Sequence, residues 1–393
     1  MISYEDARAR ILEGVGVLPL ETLPLSQVHG RVLAEPLIAR LTQPPFPASA
    51  MDGYALKWAD IPGPWHIVGE SAAGKAYHGT VGAGHAVRIF TGAPVPEGAD
   101  TVIVQEDMTQ YGSDVRLTGY GPPRQGAHIR PSGNDFHAQD VLLSGGTIVT
   151  AAAIGLAAAA GHDSLPVVRK PRIAIIATGD ELVPPGTAPG PAQIVAGNGP
   201  MLAALLGSKG ADVDDLGIIA DDEPRIANAL KAAAEYDIIL TIGGASVGDH
   251  DLVKEALSNA GATLDFWRIA IKPGKPLIAG RLGDARLIGL PGNPVSAYVC
   301  ALLFALPMLR AMQGHKDQNA LLMAKLSRPL PANSDRRDHL RAVLEEGVAT
   351  PLDMQDSAQL AVLAKANALI VRPPDAVAAE IGDTVPVLTL DRT

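Results

Sequence analysis

A single cysteine, Cys300, among 393 residues leaves no partner for an intrachain disulfide and rules out a cysteine-built metal site. It lies in an apolar helical pattern, the setting of a buried structural thiol rather than a nucleophile, and fits a reduced, cytoplasmic protein. No run of Lys or Arg stands out and the net charge is −10, so a nucleic-acid partner is excluded; a small anion held by a few placed cations is not. The most apolar stretch, Ile148 to Ala160, falls well short of the ~20 residues a membrane span needs. The first residues, Met1-Ile2-Ser3-Tyr4-Glu5-Asp6, lack the basic and apolar regions of a signal peptide. His128, His137 and His250 show no metal-ligand spacing, and there are no internal repeats.

What is present is a globular composition, 47% hydrophobic and 19% charged, in a chain too long for one compact core. The chemistry concentrates in 172–298. The unalternating runs Arg172–Ala177 and Asp237–Ile242 predict strands of a parallel sheet buried on both faces. They break into Thr178-Gly179-Asp180-Glu181-Leu182 and Gly243-Gly244-Ala245-Ser246-Val247-Gly248-Asp249-His250-Asp251. Ile271-Lys272-Pro273-Gly274-Lys275-Pro276 and Gly289-Leu290-Pro291-Gly292-Asn293-Pro294 follow. Ligands of such sheets sit beyond the carboxyl ends of the strands, where glycine lets backbone N–H groups approach an anion.

Taken in order, Ser3 predicts the cap of a helix running to about Gly14, and a second short helix is expected over Ser26–Ala34. From Leu41 to Gly146 dense Gly and Pro with short β-type runs mark an inserted β domain. An Ala-rich helix covers Thr150–Ala160. Within 172–315 strands and helices alternate as in a doubly wound α/β unit, with Asn198 and Asn293 expected as helix caps. Past Gln313 the chain returns to β texture, with Ala368–Val371 and Val385–Leu390 as strands of a small barrel.

Glu181, Asp221, Asp222, Asp249 and Asp251 all fall at strand ends of this sheet. Each like-charge pair at 4 Å costs ~4 kcal/mol at an effective dielectric near 20, and a divalent cation reverses that sign. The sequence favours helix capping for Asp222 and Asp249 and a functional role for Glu181 and Asp251. Lys272 and Lys275 on a Pro-stiffened turn form an oxyanion clamp. Pro291–Pro294 presents either an anion-binding helix start or a plain cap. In the insertion, Asp52-Gly53 within Ser49–Ala55 is, taken alone, a hairpin turn, and Thr91-Gly92-Ala93-Pro94-Val95-Pro96 has the same ambiguity.

These six motifs, in this order, resemble the molybdopterin molybdenumtransferase (MoeA/gephyrin E-domain) family essentially from end to end. The resemblance implies a multidomain α/β plus β fold: a central doubly wound α/β molybdopterin-binding domain with an inserted small β domain and a C-terminal β-barrel domain. The expected boundaries are 1–41 plus 138–170 for an elongated helical linking domain, 42–137 for the insertion, 171–315 for the α/β domain and 316–393 for the barrel. It implies Mg²⁺-assisted insertion of molybdate into adenylylated molybdopterin with release of AMP. A homodimer is implied, with each active site between the α/β domain of one subunit and the insertion of its mate. By motif position, Asp52, Thr91, Asp135, Glu181, Asp251, Lys272 and Lys275 would be catalytic. Glu181, Asp221, Asp222, Asp249 and Asp251 would be the metal candidates. Thr178, Gly179, Asp180, Gly243, Gly244, Ser246, Gly248, Pro273, Gly274, Pro291, Gly292 and Asn293 would hold the pterin substrate, with Arg341 and Ser357 cradling molybdate. The chain departs from the family's usual pattern at Ala177, Ala196 and Asp356; an inward-pointing Asp356 would repel a dianion. Beyond small-molecule substrates, the molybdopterin adenylyltransferase and molybdoenzyme apoproteins or their chaperones are the implied partners. A non-catalytic molybdopterin carrier and a tungstate-using relative are the alternatives.

Overall fold

The computed structural model describes residues 1–244, 252–315 and 321–390. The chain forms two compact units: one comprises 1–21, 30–34 and 167–393, the other 22–29 and 35–166. Residues 1–21 thus belong with the α/β sheet, whereas the sequence grouped them with 138–170.

In the larger unit the central sheet is built from β1 (Arg172–Thr178), β2 (Asp212–Ile219), β3 (Ile238–Ile242), β4 (Thr263–Arg268), β6 (Pro276–Leu282) and β7 (Ala285–Leu290). The short β5 (Ile271–Lys272) pairs elsewhere, with the barrel. The sheet order is β2-β1-β3-β7-β6-β4. β1, β2, β3 and β7 are parallel, as the unalternating runs predict, but β6 and β4 join antiparallel. The departure from an all-parallel sheet comes from Leu282-Gly283-Asp284-Ala285. Leu282 pairs with Ala285 across two residues, and Gly283 takes φ +60°, so the chain reverses at once instead of crossing over.

Both faces of the sheet are covered, hence the continuous apolar strands. One face packs α2 (Asn198–Gly207) and the long helix α5 (Pro294–Met312), the other α3 (Glu223–Ala233) and α4 (Leu252–Ala260). The N-terminal helix α1 (Tyr4–Leu12) docks through Ala7 and Ile11 onto the first face. Ser3 caps it as predicted, its Oγ accepting from the Asp6 N–H at 3.0 Å.

α5 overturns the reading of Ile148–Ala160 as the most apolar stretch. It is the one described helix long and apolar enough to span a bilayer, but 83% of its apolar window lies inside the protein, as in a core helix. It carries Pro307 in its interior, and the backbone widens to a π turn over Ala301–Ala305 just ahead of that proline. Such a turn absorbs the missing donor and the ring's clash with the preceding turn.

The barrel strands are β8 (Leu322–Leu326), β9 (Arg337–Glu345), β10 (Val348–Pro351), β11 (Ala368–Arg372) and β12 (Thr384–Thr389). The order β9-β10-β8-β12-β11 closes through a β9–β11 pairing, giving a five-stranded barrel.

In the smaller unit a six-stranded sheet has Gly53–Leu56 beside Thr101–Val104 and His85–Ile89. The expected Ala-rich helix forms over Ala151–Ala159, with Thr150 as its cap. The second helix expected over 26–34 does not form. A single 3₁₀ turn, Leu25–Gln27, precedes Gly30 at φ +74°, a conformation no helix accommodates.

Candidate active site

β1, β3 and β7 are neighbours, and their carboxyl ends open into one cavity of ≈ 740 Å³. Thr178 ends β1, Ile242 ends β3, and the Pro291 turn follows β7; all three line it. The glycines are demanded by close approach. At Gly179 (φ +148°) a Cβ would lie 2.3 Å from Oε2 of Glu181, so the loop folds its own carboxylate back over the backbone. At Gly243 (φ +98°) a Cβ would meet the Thr178 carbonyl oxygen at 2.6 Å; at Gly244 (φ +63°) it would meet Val253 Cγ2 at 2.0 Å. The Thr178 hydroxyl is buried here without a hydrogen-bond partner among the described residues.

Of the predicted site residues, Thr178, Glu181, Gly243, Gly244, Lys275, Gly292, Asn293 and Pro291 meet on this cavity. The carboxylates of Asp180 and Asp222 serve the backbone: Asp180 Oδ1 accepts from the Asp221 N–H at 3.0 Å, and Asp222 Oδ1 accepts from the Arg225 N–H at 2.9 Å, capping α3. Ser246, Gly248, Asp249 and Asp251 lie outside the described residues. Among the described residues no three acidic, histidine or cysteine side chains converge as a metal cage. Glu181 is the cavity's one described carboxylate.

The two lysines of the clamp part company. Lys275 lines the cavity, while Lys272, on β5, lies beside Asp338 of β9. Burial pushes the Asp338 carboxyl up, against the pull of Lys272, Arg336 and Arg372. Gly274 (φ +108°) between the lysines packs on Cys300: its carbonyl receives the thiol at 3.7 Å, and a Cβ would meet Sγ at 2.4 Å. Cys300 is fully buried and its thiol pushed up by burial, the structural role its sequence context predicts.

Asn293 takes the N-cap position with Pro294 at the first helical position, as predicted, and Asn198 is the first residue of its helix rather than the cap; neither side chain bonds its own helix start. Asn198 Nδ2 donates to the Gly292 carbonyl at 2.6 Å, and Asn293 Nδ2 to Ser357 Oγ at 3.0 Å. The start of α5 is closed instead by the barrel: Pro294 has no N–H and the Val295 N–H donates to the Ser357 carbonyl at 3.0 Å. This helix start is therefore less open to an anion than the sequence implied. Ser357 lies in the loop that also holds Arg341. That arginine is fully buried, and its Nη2 donates to the carbonyls of Met354 and Asp356, each at 3.0 Å. Its Nε and Nη1 have no partner among the described residues, and burial pulls its pKa down while Asp356 opposes. Asp356 turns its own Oδ1 to the Ala358 N–H at 2.8 Å.

In the smaller unit the hairpin reading of Asp52-Gly53 fails. Gly53 opens a strand, where a Cβ would sit 1.9 Å from the Ile103 carbonyl oxygen. Asp52 Oδ1 receives both the N–H (2.7 Å) and the hydroxyl (2.8 Å) of Thr91, which lower its pKa. Asp135 is exposed, with its N–H on the Gln43 carbonyl.

Three family models match in succession: the MoeA N-terminal region (domain I and II) over residues 2–161, a probable molybdopterin binding domain over 174–311, and the MoeA C-terminal region (domain IV) over 323–390. The chain belongs to the molybdopterin molybdenumtransferase family. It is a transferase of molybdenum cofactor biosynthesis. Molybdopterin molybdenumtransferase 2 of Mycobacterium tuberculosis is 38% identical, with 94% of this chain and 95% of that protein covered. The molybdopterin molybdenumtransferase of Haemophilus influenzae is 37% identical over 81% of this chain and 79% of its own. A crystal structure of the molybdopterin biosynthesis MoeA protein of Pyrococcus horikoshii superposes with a TM-score of 0.87 at 27% identity, covering all of both chains.

Sequence reasoning missed Arg268, the other cation on the cavity wall, and the apolar lip of Leu182, Ile194 and Leu360. Neither a lone arginine at a strand end nor the residues of the lip carry a local signal.

Proposed function

We propose that this family member performs the final step of molybdenum cofactor synthesis, inserting molybdate into adenylylated molybdopterin and releasing AMP. The observation that carries this reading is the cavity at three parallel strand ends, where, among the described residues, Glu181, Arg268, Lys275 and close-packed glycine loops face a volume suited to a nucleotide-sized ligand. Thr178 offers a buried, unpartnered hydroxyl, and Lys275 an ammonium, to anionic oxygens. Glu181 would hold Mg²⁺ together with substrate phosphate oxygens, a donor set this ion favours. When bound, Mg²⁺ would offset phosphate charge. Arg341, with two unpartnered donors, and Ser357 support a nearby oxyanion role for the barrel loop.

The test is turnover of adenylylated molybdopterin with molybdate or tungstate, following AMP, with and without a chelator. AMP release that needs Glu181 and a divalent ion supports the reading. Tight pterin binding with no AMP released would make the chain a carrier.

The same reading includes a homodimer in which Asp52 and Thr91 of one subunit serve the site of the other. Its support is the family resemblance and the acidic, Thr91-held carboxylate. Mixing an Asp52→Ala subunit with a Glu181→Ala subunit, each inactive alone, should restore activity. No recovery despite proven subunit exchange would place Asp52 outside the site.

A further inference from the structure

We propose that Arg268 is a substrate-binding residue of this cavity, gripping phosphate oxygens of the bound nucleotide opposite Lys275; this rests on the adenylylated-substrate reading above. The chain as a whole carries a net charge of −10, yet among the described residues the charged side chains on the cavity wall are Arg268, Lys275 and Glu181, two cations to one carboxylate. The Arg268 side chain has no ion pair among the described residues and is exposed, so its fork is available to a ligand. A guanidinium presents parallel donors that match phosphate bidentately, whereas the neighbouring ammonium acts as a point charge.

The backbone around Arg268 is built to aim it. β4 pairs with β6 in the same register at both ends, Thr263 opposite Arg281 and Arg268 opposite Pro276, with a one-residue irregularity at Phe266 between them. The Arg268 carbonyl then leaves the sheet and accepts from the Ile2 N–H at 3.1 Å, while the Ala270 N–H donates to the Ile2 carbonyl at 2.9 Å. The loop is closed on its other side by the Ile269 N–H, which donates to the Lys275 carbonyl at 3.0 Å. Arg268 and Lys275 therefore project from one backbone-braced loop, and their spacing is held without help from either side chain.

Calorimetry with AMP and with inorganic pyrophosphate tests the assignment. Arg268→Ala should weaken both by about tenfold to a hundredfold, the range of a charge-assisted hydrogen bond, with Arg268→Lys in between. Glu181→Gln should tighten both in the absence of a divalent ion. The melting temperature of Arg268→Ala should match the wild type, since no ion pair is lost. If the wild type binds pyrophosphate but not AMP, the adenylylated-substrate reading fails while Arg268 stands as a pyrophosphate contact. If the wild type binds both and Arg268→Ala binds them equally well, Arg268 is no contact and the proposal is overturned. Binding of neither probe to the wild type would overturn it as well.

Discussion

The strand-end cavity and the barrel of the same unit both hold charged side chains, and they treat them in opposite ways. On the cavity wall Glu181, Arg268 and Lys275 are exposed. Around the barrel Asp338, His339, Arg341 and Arg372 are buried. The barrel arginines spend their donors on loop carbonyls: Arg341 on Met354 and Asp356, Arg372 on Pro331 and Val377. Burying an ion is tolerated only where such partners replace water. The difference separates charges held inside the fold, among which Arg341 alone keeps the oxyanion role proposed for it, from charges exposed on the cavity wall, a distinction invisible in composition.

The sharpest way to break the comparison is to titrate the buried side. His339 is 1% exposed and lies edge-on to Tyr4 with ring centroids 6.3 Å apart; burial, reinforced by Arg337, holds its pKa down at about 3, against a backbone bond to Lys272. The unfolded chain takes up a proton near pH 6.5 while the folded chain does not. Stability is therefore full above about pH 6.5 and falls as pH drops toward 3. The loss is on the order of 4 kcal/mol if His339 acts alone. Asp338, whose pKa is raised, works the other way and offsets part of it. His339→Phe, which keeps a ring against Tyr4, should flatten the acid limb of a denaturant-midpoint profile between pH 6.5 and 4. An unchanged acid limb would show that His339 is not the buried group that matters.

On the cavity side the expected effect is smaller and steric. Gly244→Ala adds a left-handed backbone penalty of ~1–2 kcal/mol and a Cβ 2.0 Å from Val253 Cγ2, which crowds the core beneath α4 by a further ~1–3 kcal/mol. Urea unfolding should show a loss of about 3 kcal/mol. A loss below about 1 kcal/mol would mean the loop shifts freely and does not set the cavity.

How much of this was legible depended on how local the cause was. Unalternating Ile runs gave the parallel strands because burial on both faces leaves no polar phase. Ser3 and Asp222 gave their helix starts because a cap is a contact three residues long. The antiparallel edge hung on two residues, Gly283 and Asp284, inside an otherwise ordinary strand pattern. Asn198 and Asn293 matched cap chemistry in sequence, yet each side chain went to a partner 94 and 64 residues away. Such a choice is made by tertiary packing and leaves no trace in a local window. Asp52 was the reverse: local chemistry favoured a turn, and only the resemblance pointed to a role. Arg268 escaped because a lone arginine at a strand end has no motif.

The smallest expected effect lies where the two regions touch. The turn 291–293 is gripped from the α2 side by Asn198, on the Gly292 carbonyl, and reaches the barrel loop through Asn293, on Ser357 Oγ. Both bonds are exposed, so each is worth only about 1 kcal/mol. Asn198→Ala and Asn293→Ala should each lower stability by that amount or less. Their meaning lies in the coupling. If the turn moves as one rigid piece, loss of either grip frees it, and the double variant should cost turnover little more than the worse single one. A double-mutant cycle on AMP release would then show a coupling of at least ~0.5 kcal/mol, as expected for residues sharing one structural element. Additive losses would mean that the cavity lip and the barrel loop are positioned independently, and that Ser357 is held in place by its carbonyl's bond to Val295 alone.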